Sequence, residues 1–175
     1  RRCLDNLPVD LPVGNGIQFE HLAGLFASTA LDHGVIGMTI RQAAYLFGLI
    51  RQLAPQKVIE IGRFKGGSTL VIAAAMGGTG TFWSIDSGQK ASRPEWKELG
   101  GRPYDDQTRD LIGQFRLNAT LLVGDSKTLV VETDGPVDVV LIDGDHSYAG
   151  VKSDFDRFGR LVRVGGAVLL DDAFD

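Results

Sequence analysis

At 175 residues, 43% hydrophobic and 23% charged, the chain has the make-up of one globular domain with a sizeable core and too little length for two. Its net charge of −4 is spread without long runs of one sign, which argues against a nucleic-acid partner gripped through its phosphates. The lone Cys3 excludes an internal disulfide and a cysteine-based zinc site, and no apolar run approaches the roughly 20 residues of a membrane span. No signal-peptide pattern is visible, so the default expectation is a soluble cytoplasmic protein, and Arg1 in place of Met points to a start inside a longer gene product.

In chain order, residues 1–38 are weakly patterned and read as an N-terminal helical extension, with a first helix over Gln18 to Leu31 weakened by Gly24. Thr39 is an N-cap for a helix through Ala54, with Ile40, Ala43, Ala44, Phe47 and Ala54 on one face and Pro55 as its stop. Lys57 to Gly62 reads as a strand, Gly67 to Met76 as a helix, and Thr81 to Asp86 as a second strand. Ser87 to Tyr104, with two prolines and three glycines, reads as a loop or insertion over the site. A helical pattern resumes from Asp106 to Leu117, and Thr120 to Gly124 and Val137 to Ile142 are the third and fourth strands. Val151, Phe155, Phe158, Leu161 and Val162 recur at helical spacing. Gly165-Gly166 then turns the chain into a fifth strand, Ala167 to Leu170.

Five strands alternating with helices make a doubly wound α/β sheet, mostly parallel, in the order 3-2-1-4-5, within a domain of residues 39–175. The ligand crevice of such a sheet lies at the carboxyl ends of its strands, beside strands one and four. Strand one ends in Glu60-Ile61-Gly62-Arg63-Phe64-Lys65-Gly66-Gly67-Ser68, which fits neither the G-x-G-x-x-G of a dinucleotide site nor the G-K-[ST] of a phosphate-binding loop. An acid at the strand end disfavours pyrophosphate and suits a ligand with an amine; a plain structural turn is the alternative. Asp86 at the end of strand two can accept both hydroxyls of a ribose, or be a capping or solvated aspartate. Gly124-Asp125-Ser126 after strand three can hold an adenine edge, or be a polar turn. The three strand ends together describe a pocket for an adenosine with an amino-acid tail, which is S-adenosylmethionine (SAM).

Strands four and five end abruptly in acids, at Asp143 and at Asp171-Asp172. One helix-length connection makes the two strands parallel neighbours, so these carboxylates emerge side by side and repel one another unless a cation or proton intervenes. Hard oxygen ligands of this kind favour Mg²⁺, Ca²⁺ or Mn²⁺ over zinc. His146 lies three positions after Asp143, where an imidazole can take a hydroxyl proton near neutral pH; it can also cap the next helix, donate to Asp145 or bind metal itself. His21 and His33 read as surface residues, while Trp83, Trp96, Tyr104 and Tyr148 are candidates for lining an acceptor pocket or for ordinary packing.

Val58-Ile59-Glu60-Ile61-Gly62 with Gly66-Gly67-Ser68, the terminal Asp86, Ile142-Asp143-Gly144-Asp145-His146-Ser147-Tyr148, Gly165-Gly166 and Asp171-Asp172 resemble class I SAM-dependent methyltransferases. The likeness runs roughly from Thr39 to the end. It is closest to the metal-dependent O-methyltransferases, both the catechol and caffeoyl-CoA type and the macrolide-sugar type related to cephalosporin-hydroxylase-like proteins. The resemblance implies that Glu60, Gly62, Gly66 and Ser68 meet the methionine portion of the cofactor, that Asp86 holds the ribose, and that Asp125 and Ser126 border the adenine. Asp143 adjoins the cofactor and, with Asp171 and Asp172, binds Mg²⁺ or another hard divalent cation.

The chain departs from the catechol type, which has a lysine base three residues after the first metal ligand and an Asn as the last ligand. Here those positions are His146 and Asp172, and the histidine is nearer the sugar-modifying type. The family fold also adds two further strands after the fifth, and neither is evident before Asp175, which would leave an exposed edge beside strand five. The implied reaction is O-methylation of a small-molecule hydroxyl, sugar or phenolic, with His146 as general base. A hydroxylase-like or hydrolytic metal enzyme on the same fold, or a non-catalytic SAM-binding module, are the alternatives. The expected partner is a small-molecule acceptor, with neither nucleic acid nor membrane, and assembly as a homo-oligomer is compatible with the sequence.

Overall fold

A computed structural model describes residues 14–26, 34–88 and 104–171. The chain divides into two compact units: Arg1–Ala54, Phe64–Thr79 and Ala91–Asn118 form one, and Pro55–Arg63, Gly80–Lys90 and Ala119–Asp175 the other. The expected Rossmann-like α/β architecture is the observed one.

The second unit holds every strand of the sheet. β1 (Lys57–Ile61), β2 (Thr81–Asp86), β3 (Thr120–Val123), β4 (Val137–Ile142) and β5 (Val162–Leu170) lie in the order β3-β2-β1-β4-β5, and every pairing is parallel. Such strands read as unbroken apolar runs when both faces are covered, and the fully buried Val58, Ile59, Val139 and Val140 of the two central strands follow that rule. Ile59, Ile61, Ile85, Val137, Val140, Ile142 and Phe158 make one buried cluster.

Register decides what stands at the carboxyl edge. Ile61 pairs with Ile85 and with Ile142, Ile142 pairs with Leu170, and Asp86 pairs with Val123. Gly62, Asp86, Asp143, Asp171 and Gly124 therefore terminate or follow five adjacent strands at nearly one level.

β5 begins earlier than the sequence implies. The glycine pair does not precede it but lies inside it, where five steps along β5, from Val162 to Ala167, match two along β4, from Val137 to Val139. Gly165 takes φ +81°, and a Cβ on Gly166 would sit 2.4 Å from the Asp138 carbonyl oxygen, so both positions of this bulge need glycine. Asp138 ties the region together: its carboxylate accepts the Gln56 and Lys57 amides, each at 2.8 Å, and the Arg163 Nε–H.

α4 (Tyr148–Arg157) is capped by Ser147, whose Oγ accepts the Gly150 amide at 3.1 Å. Its buried residues are Gly150 and Asp154, while Phe155 of the expected apolar stripe is 45% exposed. Leu161 falls in a short 3₁₀ turn and Val162 already belongs to β5.

The first unit carries α1 (Ile40–Leu53), α2 (Gly67–Met76) and α3 (Tyr104–Gln114). Thr39 caps α1 as expected, through a reciprocal box with Gln42. The buried stripe is Ala43, Leu46, Phe47 and Ile50; Ile40, Ala44 and Ala54, placed on that face by the sequence, are exposed. All ten residues of α2 are buried, as its apolar, small-residue sequence requires. The expected helix from Gln18 is instead a 3₁₀ turn, Phe19–Leu25, followed by a bridge between Phe26 and Ile36; its end at Leu31 lies outside the described residues. His21 accepts the Gln18 amide in that turn. α3 spans Tyr104–Gln114, starting two residues before and stopping three before the expected bounds. Cys3, His33, Trp96 and Asp172 lie outside the described residues.

Candidate functional site

The carboxyl edge of the sheet gathers the chemistry-bearing side chains of the second unit. At its centre is the close passage of β1 and β4. The Gly62 amide donates to Ile85 O at 2.9 Å and the Asp143 amide to Ile61 O at 2.8 Å. Gly62 takes φ +89°, and a Cβ there would lie 2.0 Å from the Asp143 carbonyl oxygen. Only glycine fits.

Glu60 is fully buried, and its Oε2 accepts a short hydrogen bond from Ser84 Oγ, its cross-strand partner. Asp86 stands at the end of β2 with its carboxylate oriented by two backbone amides: Oδ2 accepts from Arg63 N at 3.0 Å, and Oδ1 from Gly88 N at 2.8 Å. Of the roles open to Asp86 in the sequence, capping a helix is not the observed one; it closes a turn on its own strand end. After β3, Asp125 Oδ1 accepts the Lys127 amide at 2.9 Å and its carbonyl accepts Thr128 and Leu129, so Gly124 to Leu129 is one tight turn. Ser126 donates its hydroxyl to Asp154 Oδ1 at 2.7 Å. Burial lifts the Asp154 carboxyl above the usual aspartate range, and the Ser126 hydroxyl opposes that rise.

Asp143 and Asp171 follow paired residues of β4 and β5, the Asp171 amide donating to Ile142 O at 3.1 Å. Their backbones are thus one strand spacing apart, about 4.8 Å. His146 Nε2 lies 3.6 Å from Asp143 Oδ1, with the imidazole half exposed. The cap of α4 is Ser147, which removes capping from the roles open to His146, and Asp145 accepts the Ser147 amide at 3.0 Å. That bond holds the Asp145 carboxyl below the usual range. Among the described residues no group of three or more His, Cys, Asp or Glu is placed to hold a metal ion; the third expected ligand, Asp172, lies outside them.

In the first unit, Gly66 takes φ +84° and its Cα approaches Thr108 so closely that a Cβ would lie 2.2 Å from Thr108 Oγ1. Ser68 sits, nearly buried, in the first turn of α2. Phe64 and Tyr104 meet edge to face at 5.5 Å with the Lys65 ammonium over both rings. Of the other aromatic candidates, Trp83 packs against the sheet cluster and Tyr148 is 83% exposed.

Arg63 is the residue that the sequence reading passed over. A charged residue in a glycine loop reads as solvated, yet Arg63 is 2% exposed and its guanidinium donates to carbonyls of β2 and β3. Acceptors on two other strands, which no local pattern encodes, make its burial tolerable.

Among solved structures, the fold is similar to an O-methyltransferase from Bacillus cereus in complex with SAH (TM-score 0.60, 19% identity, 79% of this chain and 59% of that one). It is also similar to the O-methyltransferase TomG of Streptomyces achromogenes, involved in tomaymycin synthesis and solved with SAM (TM-score 0.59, 20% identity, 77% and 56%). A third is an SAH-bound methyltransferase of Podospora anserina (TM-score 0.59, 20% identity, 78% and 54%). The chain thus spans little more than half the length of these proteins. No helix among the described residues is long and apolar enough to cross a membrane. A family model described as a methyltransferase domain matches residues 59–173, more than half of the sequence, and the chain belongs to that methyltransferase family.

Proposed function

We propose that the protein is a SAM-dependent O-methyltransferase that methylates a hydroxyl of a small molecule, sugar or phenolic, with a hard divalent cation at the acceptor. The observation that carries the reading is the Asp86 carboxylate, fixed by two amides at the strand end next to Gly62 and in register with it. The SAM- and SAH-bound structures that share the fold support the same choice of ligand.

The donor chemistry fits the cofactor. Asp86 is an oriented acceptor for two vicinal hydroxyls, Glu60 an anion for an ammonium group, and Gly62 a point where no side chain obstructs a ligand. Gly66 and Ser68, further along the same loop, are assigned to the methionine portion, Asp125 and Ser126 to the adenine side, and Asp143 to the inner wall. Bound SAM supplies an electrophilic methyl group on a sulfonium.

The chain's own residues have three tasks. Strand-end backbone and carboxylates hold the cofactor. Asp143 and Asp171, with Asp172, would hold a hard divalent cation such as Mg²⁺, which would make the acceptor hydroxyl more acidic. His146, beside Asp143, takes the hydroxyl proton as the carbon–oxygen bond forms and the carbon–sulfur bond breaks. No covalent enzyme intermediate is required.

Incubation with SAM, Mg²⁺ and a panel of phenols and sugars tests the reading. Mass spectrometry should find SAH together with a methylated acceptor, and chelation by EDTA should stop both. A metal-dependent product without methyl gain would replace the transferase by a hydroxylase-like or hydrolytic enzyme. Methyl transfer unaffected by EDTA would remove the metal.

A further inference from the structure

Arg63 is 2% exposed, and both its main chain and its side chain are committed at the strand ends. Its amide holds Asp86 Oδ2 at 3.0 Å. Its Nη1 donates to Ser84 O at 2.6 Å, to Ser84 Oγ at 3.3 Å and to Leu122 O at 3.4 Å. Ser84, fully buried, donates its hydroxyl to Glu60 Oε2. Arg63 thus reaches Asp86 through its backbone amide and, through its guanidinium and Ser84, Glu60, across the ends of β2 and β1. It joins the two carboxylates to which the proposed function gives the ribose and the methionine amine.

A surface role does not explain this arrangement. Burying a guanidinium and a carboxylate costs free energy unless both are paired and hydrogen-bonded, and an apolar residue would fill the same space more cheaply. What the cation adds is orientation and charge. The guanidinium brings a positive charge to the strand ends that carry these two acidic side chains.

We propose that Arg63 is a positioning residue of the cofactor site, which holds Glu60 and Asp86 as one hydrogen-bonded unit and sets the net charge that this unit presents to the ligand. The proposal rests on the assignment of SAM to these carboxylates. It bears on the balance between cofactor and product, because SAM carries one positive charge more than SAH. Removing Arg63 makes the site more negative and favours the cation, so SAH should suffer more than SAM.

Calorimetric titrations of SAM and of SAH into the whole chain and three variants separate the effects, with melting curves to verify folding. Arg63→Met should bind both ligands at least about tenfold more weakly, with the ratio of the SAH to the SAM dissociation constant raised about threefold or more. Arg63→Lys keeps the charge but loses the Nη1 that reaches Ser84 and Leu122, so both affinities should fall with their ratio unchanged. Ser84→Ala cuts the link to Glu60 and should likewise weaken both ligands equally. A folded Arg63→Met protein with unchanged affinities, or with an unchanged ratio, overturns the proposal, because a purely structural arginine lowers the melting temperature alone. If Arg63→Met does not fold, unchanged affinities in Arg63→Lys and Ser84→Ala overturn it. Wild-type protein that binds neither ligand would defeat the proposed function instead.

Discussion

Replacing Gly62 with alanine should damage the protein far more than one methyl group ordinarily does. The residue sits at φ +89°, and the added Cβ would lie 2.0 Å from Asp143 O, 2.4 Å from Asp143 C and 2.8 Å from Gly144 Cα. Alanine in the left-handed region costs about 1–2 kcal/mol. Forcing apart two backbone segments of a packed sheet adds about 1–3 kcal/mol, as other overpacking substitutions do. The total, about 2–5 kcal/mol, is a large part of the roughly 5–15 kcal/mol that holds a domain folded. With a urea m-value of about 2 kcal/mol per molar, the unfolding midpoint should fall by about 1–2.5 M. Gly48 is the control: it lies within α1, where a Cβ meets nothing within 4 Å. Gly48→Ala should therefore raise stability by about 0.5–1 kcal/mol. Urea titrations of the two variants beside wild type give the comparison. A Gly62→Ala protein with a wild-type midpoint would refute the close approach of β1 and β4 on which the geometry of the strand ends depends.

Asp138→Ala removes the acceptor of the Gln56 and Lys57 amides and of Arg163 and should cost about 2–4 kcal/mol in urea unfolding. Burial pushes the Asp138 carboxyl up, but the bonds from Arg163, Lys57 and Gln56 outweigh it and hold the group below the usual range. Its contribution is therefore present above the ordinary aspartate range and lost as pH falls through the depressed value, so the gap between mutant and wild type should close in acid. Asp154 has the opposite sign: its raised carboxyl gives stability below the ordinary range that disappears as pH rises through the folded-state value. Asp154→Asn should melt higher than wild type at neutral pH and equally in acid; an equal melting temperature at both would show that burial does not strain this group. His146→Ala should lower methyl transfer by about 10²–10⁴-fold with SAM affinity nearly intact. Near-normal turnover per folded molecule would return the histidine to a structural role.

The parts of this protein that sequence made legible are those dictated by local chemistry. The five strands follow from apolar runs that stop at acids or glycines, and the cap of α1 follows from Thr39 and Gln42 at their fixed spacing. What local pattern left out depends on tertiary contact. Period alone does not choose between overlapping stripes of α1, one of which takes in Ile40 and Ala44; packing selects Ala43, Leu46, Phe47 and Ile50. Gly165-Gly166 read as a turn, since glycine pairs usually punctuate a chain; here they absorb a register mismatch inside β5. In α4, Asp154 is buried and Phe155 half exposed, an inversion that the Ser126 hydroxyl makes tolerable. The strand-end acids were legible as a set because order and register of a parallel sheet bring them to one edge. The buried Arg63 among them was not.

The central claim is that this edge binds SAM through Asp86. Asp86→Ala removes the anchor proposed for two ribose hydroxyls, each charge-assisted hydrogen bond being worth about 1.5–3 kcal/mol. Isothermal titration of SAM into wild type and the variant, both verified as folded, measures it directly. Saturable binding to wild type, with affinity at least about tenfold weaker in Asp86→Ala, is the expected result, since about 1.4 kcal/mol is one decade. Equal affinities in the two proteins would take Asp86 out of the site and contradict the account.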